Sequence, residues 1–307
     1  MKINGIHHIS SVVASPQKDI DFYASLLALR MVKKTVNYED KDIYHFFYGN
    51  HAASTGLITT FPMEFTQQGI VGNRQTGRAS LGIPKGTFDF WKKRLESFGI
   101  ESEEIERFNR RRLHFDDPDG LELELVETDK GGQNLWEYNG VDKEHAIIGL
   151  KSAVLYSNKA DETLDLLTNI MGYELVDETK SHYLLKVNDA FGGSIELAKN
   201  TPQRGIPGVG TVHHLAFTVK EEEIGKWKET LEAEGYHPTE IKDRDSFQSI
   251  YFLEKGGILF EFATDKPGMK VGSMDEDLGE KLLIPAHFKD ELFAELPEVH
   301  VREIDEI

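Results

Sequence analysis

Gly5-Ile6-His7-His8-Ile9-Ser10-Ser11-Val12 and Thr211-Val212-His213-His214-Leu215-Ala216-Phe217-Thr218 are two copies of one apolar strand, and each carries a histidine pair. The second copy is followed by a hairpin ending Gly256-Gly257-Ile258-Leu259-Phe260-Glu261-Phe262, where one carboxylate interrupts a run of Ile, Leu and Phe. A carboxylate in a buried strand needs a partner. His8, His214 and Glu261 are therefore the candidate set: two imidazoles and a carboxylate converging on a divalent metal.

Working outward, similar strand starts recur at a period of about seventy residues. They are Ile6-His7-His8-Ile9, Arg78-Ala79-Ser80-Leu81, Ile147-Ile148-Gly149-Leu150 and Val212-His213-His214-Leu215. After each comes an amphipathic stretch, 17–27, 87–98, 160–171 and 222–234. Apolar residues there are spaced by three and four, as in Phe88, Trp91 and Leu95. Strand-like runs with Gly-containing turns then close each repeat. The pattern predicts an α+β fold of four βαβββ units, paired into two cup-shaped mixed β-sheet modules because one unit alone leaves a sheet face uncovered. The expected organisation is an N-terminal half over 1–128, a polar connector over 129–145, a C-terminal half over 146–265 and a tail over 266–307. One short helix is expected in the tail, from His287 to Leu296. The tail reads as a flap or an oligomer contact, which leaves a homo-oligomer open.

Only the first and fourth units carry His-His; the second has Ser80 and Leu81 at that place and the third Lys151 and Ser152. The metal is accordingly expected between units one and four. Counting four residues on from the turn glycine reaches Glu261 from Gly257, Thr60 from Gly56 and Glu124 from Gly120, with Glu196 near the matching place in unit three. Glu124 and Glu196 lack a histidine partner and read as exposed or structural.

Successive side chains of a strand face opposite ways. Taking His8 and His214 as inward puts Ser10 and Ala216 on the same face, and turns His7 and His213 elsewhere unless a bulge redirects them. A three-residue loop at 255–257 places Tyr251 opposite Glu261. Arg244 and Tyr251 lie along this hairpin, where Arg suits an anionic substrate oxygen and Tyr a hydrogen bond or proton relay. The bland alternatives are a structural Arg244–Glu261 ion pair and Tyr251 as aromatic filler. His114 reads as a repeat echo, and His45, His51, His145, His182, His237, His287 and His300 as exposed or locally hydrogen-bonded. Two imidazoles and a carboxylate on one face of an octahedral ion leave open positions. That pattern suits non-haem Fe(II), or Mn(II), with Zn(II) or Ni(II) as adventitious occupants. A structural zinc would want four protein ligands.

Composition narrows the remaining classes. A formal net charge of −18 argues against a nucleic-acid surface, which needs clustered Lys and Arg. No apolar run reaches membrane-spanning length and the opening residues carry no signal-peptide pattern, so a soluble cytoplasmic protein is expected. With no cysteine, any metal must take nitrogen and oxygen donors.

With these residues in place, the chain resembles the vicinal-oxygen-chelate superfamily (glyoxalase, bleomycin-resistance and dioxygenase proteins), and more closely its bacterial hydroquinone-type ring-cleaving dioxygenases. The carriers are Gly5 to Ser10, Leu29-Arg30-Met31-Val32-Lys33-Lys34-Thr35-Val36-Asn37, Thr211 to Phe217, Asp243-Arg244, Ser249 to Phe252, Gly256 to Asp265 and Leu278-Gly279-Glu280-Lys281-Leu282. The resemblance implies Fe(II) on His8, His214 and Glu261, and substrate or proton roles for His7, His213, Arg244 and Tyr251. Its reaction is O2-dependent opening of a hydroquinone or catechol ring, with a small aromatic diol as substrate and quinone detoxification as setting. Ser10 stands where the nearest relatives carry Thr, which keeps the hydroxyl. Two rivals remain: a glyoxalase-like isomerase or lyase, needing a second carboxylate where Thr60 is counted, and a non-catalytic protein that binds a flat aromatic ligand.

Overall fold

The computed structural model describes residues 1–54, 56–201, 203–268, 278–289, 291 and 296–307. Unit one comprises β1 (Ile6–Val13), α1 (Pro16–Ile20, continued by a π-helical stretch over Asp21–Leu26), β2 (Arg30–Val36), β3 (Tyr44–Gly49) and β4 (Leu57–Pro62). Unit two repeats this as β5 (Gln75–Pro84), α2 (Phe88–Ser97), β6 (Ser102–Arg107), β7 (Arg110–Asp116) and β8 (Glu122–Thr128). Unit three is β9 (Gly149–Tyr156), α3 (Ala160–Asp165, then Leu166–Ile170), β10 (Glu174–Glu178), β11 (His182–Lys186) and β12 (Ser194–Ala198). Unit four is β13 (Thr211–Val219), α4 (Ile224–Ala233), β14 (Lys242–Asp243), β15 (Phe247–Leu253) and β16 (Leu259–Pro267), and the tail adds β17 (Leu282–Leu283). The expected tail helix falls largely on 290 and 292–295, outside the described residues; what is described there is a 3-10 turn at Ala286–Phe288. Among the described residues no helix is long and apolar enough to cross a membrane.

The strands form two curled mixed sheets, as the α+β vicinal-oxygen-chelate fold requires. One sheet joins units four and one in the order β14-β15-β16-β13-β1-β4-β3-β2-β17; the other joins three and two as β10-β11-β12-β9-β5-β8-β7-β6. Each is stitched at its centre by an antiparallel pair, β1 with β13 and β5 with β9. Alternation along β16 shows how the sequence builds both faces. Phe260 and Phe262 go to the core, where Trp227 of α4 stands 5.0 Å from Phe262, while Glu261 between them faces the other way.

The β15–β16 turn fixes that register. Glu254 and Ile258 bond across the loop, Gly257 has φ +94°, and Tyr251 pairs with Glu261 as a three-residue loop demands. Gly256 is needed for a different reason, since a Cβ there would lie 1.9 Å from Ser157 Oγ.

Behind the sheets the core holds a buried carboxyl. Asp117 accepts hydrogen bonds from Tyr23 Oη and from the backbone N–H groups of Asp119 and Leu121, all at 2.9 Å. Burial pushes its pKa up to about 6 despite these donors. A carboxyl raised in the folded state contributes stability that is complete below its unfolded pKa, about 4, and lost as pH rises through the folded value. Asp117→Asn is therefore expected to flatten the dependence of unfolding free energy on pH between about 4 and 6. Urea titrations across that window check this, and an unchanged slope would contradict it.

Candidate active site

The central β1–β13 pairing brings the two histidine pairs together. Ser10 pairs with His214 and His8 with Ala216, a two-fold arrangement in which each inward histidine faces a small residue. The ladder is irregular between Ile6 and His8, and again where Ser10-Ser11 meets Val212 and His214, so His7 and His213 are the extra residues of two bulges. The bulges turn both side chains alongside their neighbours. His7 Nδ1 lies 2.7 Å from His8 Nδ1, and His213 Nδ1 lies 2.8 Å from His214 Nδ1.

His8 and His214 thus aim Nε2 at each other, 3.2 Å apart, and at Glu261 Oε2, 3.2 and 2.9 Å away. All three residues are buried, Glu261 completely. Neither oxygen of Glu261 receives an aligned hydrogen bond. For His8 and His214 to present Nε2 lone pairs, Nδ1 must carry the ring proton, and the Nδ1 atoms of His7 and His213 are placed to accept it. Lone pairs and a carboxylate then converge with no proton between them, an arrangement that a cation reconciles. The donor set fits a divalent metal, and it is the group of at least three such side chains found among the described residues with ligand atoms all within 4.8 Å. Burial pushes the Glu261 carboxyl up, and positive charge on His8 and His214, present only when those rings are protonated, is what holds it below the usual carboxylate range. Desolvation, with the charge of His8 when that ring is protonated, pushes His7 down to about 3.

Arg244 is not the partner of Glu261. Its guanidinium lies between the rings of Tyr38 and Tyr251, 5.1 and 5.5 Å from their centroids, and donates to Glu39 at 3.0 Å. Lys33, buried, donates to Ser246 Oγ at 2.8 Å, and Tyr38 Oη donates to the Arg244 carbonyl, so β2 and the following loop hold the 244–246 segment against the site. Burial, then Glu261, raises the Tyr251 phenol above its ordinary value and keeps it a donor. His8, His214, Arg244 and Tyr251 line one cavity with Asn37, Tyr38, His45, Phe61 and Phe247.

Two expectations about unit one need correction. The position facing Ser10 on β4 is Thr59, whose Oγ1 lies 2.6 Å from Ser10 Oγ; Thr60 faces the opposite way and donates to Asp19 at 2.6 Å. His45, grouped from the sequence with histidines that are exposed or locally hydrogen-bonded, is not exposed: it is buried at this cavity, with Nε2 2.9 Å from Thr59 Oγ1. Counting from Gly56 hid it, because a slip of one residue exchanges the two faces of a strand.

The second cup makes the contrast. Ser80 pairs with Ser152 as Ser10 pairs with His214, and the bulged residues are Gly77 and Lys151. Arg78 stands where His8 does, so the counterpart of the first histidine pair is Gly77-Arg78 and not the expected Ser80-Leu81, a shift of three residues that the short repeat match did not fix. Glu196 and Glu124 stand where Glu261 and Thr59 do. Glu124 and Glu196 are buried, not exposed, and are held by guanidinium groups. Arg112 donates to Glu124 at 2.7 Å and Glu196 at 2.6 Å, Arg107 donates to Glu124 at 2.8 Å and also to Glu196, and Arg78 donates to Glu124 at 2.9 Å. An ion-pair network fills the place that the other cup gives to its His-His-Glu set.

A paired βαβββ sheet with this constellation on its seam defines a class, and the sequence agrees: the Glyoxalase/Bleomycin resistance protein/Dioxygenase superfamily model matches residues 5–125 and 149–262. The chain belongs to that superfamily. It is 41% identical over 309 residues to the protein named "Putative ring-cleaving dioxygenase MhqO" of Bacillus subtilis (strain 168), covering 99% of each chain. It is 31% identical over 294 residues to the chlorohydroquinone/hydroquinone 1,2-dioxygenase of Sphingobium indicum, covering 89% of this chain and 90% of that one. A crystal structure of a "putative dioxygenase" from Bacillus subtilis superposes with a TM-score of 0.94 at 41% identity, covering 99% of each chain.

Proposed function

We propose that the protein is a non-haem Fe(II)-dependent dioxygenase that opens the ring of a hydroquinone with O2, in the detoxification of quinones and related aromatics. The observation that carries the reading is the buried convergence of His8 Nε2, His214 Nε2 and a Glu261 carboxylate whose oxygens receive no aligned hydrogen bond. These three residues would hold the metal, Mn(II) being the nearest substitute by donor type. Bound there, Fe(II) supplies Lewis acidity toward a substrate oxygen and electron transfer to dioxygen.

The chain's own groups account for the rest. His7 and His213 fix the tautomers of His8 and His214 through the paired Nδ1 contacts. Arg244, pinned by Glu39 and flanked by Tyr38 and Tyr251, steadies an ionised substrate oxygen, and Tyr251 donates to that oxygen or returns a proton to it. Phe61 and Phe247, which line the cavity, exclude water from the ring. The names of MhqO and of the Sphingobium enzyme support the reading. The isomerase reading is disfavoured because its second carboxylate would fall at Thr59, a hydroxyl.

Anaerobically purified, Fe(II)-reconstituted protein is expected to consume oxygen with hydroquinones and to yield a ring-opened chromophore. Both should be lost in His214→Ala and in Zn-loaded protein. Stoichiometric Fe(II) with no uptake from any diol would refute the proposal.

A further inference from the structure

The second cup holds a cavity of its own that the chemistry above does not use. Lys151, the bulged residue of β9, takes the place that His213 has in the first cup, and it lines this cavity with Arg110, Arg112, Lys186 and Glu196. Exposed Lys130 adds a fifth cation. Phe108, Leu184 and Phe191, each partly exposed, supply an apolar wall. Three carboxylates share the cavity, and each is already answered. Asp129 pairs with Lys85 at 2.9 Å, Asp189 with Lys130 at 3.2 Å and Lys186 at 3.4 Å, and Glu196 with Arg107 and Arg112. The surplus of positive charge falls on two residues: among the described residues neither Arg110 nor Lys151 makes a side-chain hydrogen bond or an ion pair. Both can be reached from solvent, since Arg110 is exposed and Lys151 partly so.

A half-buried ammonium flanked by like charges is destabilised, and an anion relieves it. The crowding shows in Lys151 itself, which burial and then the charges of Arg110 and Arg112 push down to about 8. In a chain of net charge −18, a cleft that gathers cations focuses anions on itself. We propose that the second cup is a binding site for a small carboxylate with an apolar body, its charged head between Lys151 and Arg110 and its body against Phe108, Leu184 and Phe191. This site is independent of the reaction proposed above. The guanidinium fork of Arg110 suits two carboxylate oxygens, and Lys151 adds a point charge. Arg112 contributes field and no contact, because its terminal nitrogens are given to Glu124 and Glu196. Inorganic phosphate would meet the same cations but leave the apolar wall uncovered, so the carboxylate is the better occupant.

The test is calorimetric titration of benzoate, benzyl alcohol and inorganic phosphate into the full chain, dialysed against chelator so that no metal can take the carboxylate. Wild type is expected to bind benzoate at least about tenfold more tightly than benzyl alcohol, which has the ring without the charge, and more tightly than phosphate. Lys151→Met and Arg110→Gln should each weaken benzoate at least about fivefold and leave benzyl alcohol unchanged. His214→Ala, in the other sheet, should keep the wild-type benzoate affinity. Undiminished benzoate binding in both second-cup variants would overturn the inference, as would its loss in His214→Ala, which would place the ligand in the first cup. So would the absence of saturable benzoate binding to wild type, an outcome that requires no variant to fold. Phosphate bound as tightly as benzoate would overturn the carboxylate assignment.

Discussion

Replacing Glu261 by leucine is expected to have two opposite effects. In metal-free protein with both imidazoles neutral, the carboxylate is fully buried and receives no aligned hydrogen bond, so at a pH above histidine protonation the leucine variant should unfold at higher urea, with a gain of about 1–3 kcal/mol. In Fe(II)-loaded protein the order reverses. Wild type is stabilised by mass action, RT ln(1 + [L]/Kd), and a variant lacking one of three ligands should lose nearly all of that increment. Metal content after dialysis should drop from stoichiometric to trace, and oxygen uptake should fall at least about a hundredfold. Unfolding curves with and without Fe(II), read beside metal analysis, test both arms together. A leucine variant that still binds Fe(II) stoichiometrically would remove Glu261 from the ligand set. A metal-free variant less stable than wild type would mean that the carboxylate is satisfied without a cation.

The second large effect belongs to the other cup. Glu124 receives Arg78, Arg107, Arg112 and the Ser80 hydroxyl, and is fully buried. The carboxyl's burial cost is outweighed by Arg112, Arg107 and Arg78 in turn, which hold its pKa far below the usual range. Glu124→Ala strands these guanidinium groups in a dry interior, and removing one partner of such a network costs about 3–5 kcal/mol. Fe(II) stoichiometry should be unchanged, because none of the three proposed ligands lies in this sheet. Joint replacement of Arg112 and Glu124 by apolar residues should cost less than Glu124→Ala, since it removes charge from both sides of the pair. A loss below about 1 kcal/mol for the alanine variant would show the network to be solvated.

Much of this arrangement was legible in the sequence, for identifiable reasons. Four repeats of strand, helix and hairpins announce themselves by period. A tight glycine turn makes register arithmetic sound, which is why Tyr251 falls opposite Glu261. The arithmetic failed where the turn is longer. Between β3 and β4 the chain takes residues 50–56, and counting from Gly56 moved the inward position from Thr59 to Thr60, concealing His45 as well. Bulges are equally silent, since nothing in His7-His8 announces that the first residue leaves the ladder. The Arg-Glu network was illegible for another reason. Arg107 and Arg112 lie on strands whose dense charges read as a solvated edge, Arg78 is the lone charge of the central β5, and only the curl of the sheet closes the three over Glu124 and Glu196.

The seam between β1 and β13 also sets an order of assembly. His8 and His214 are 206 positions apart, so loop-closure entropy must be met before either has its partner. Units two and three are neighbours in the chain, and β5 can find β9 as soon as unit three emerges. Strand β1 thus waits longer for its partner than β5 does, its histidines facing no carboxylate until Glu261 has been made. The proposed ligand set is therefore complete only once the fourth repeat has closed on the first, so a partly made chain would offer a metal no more than part of it.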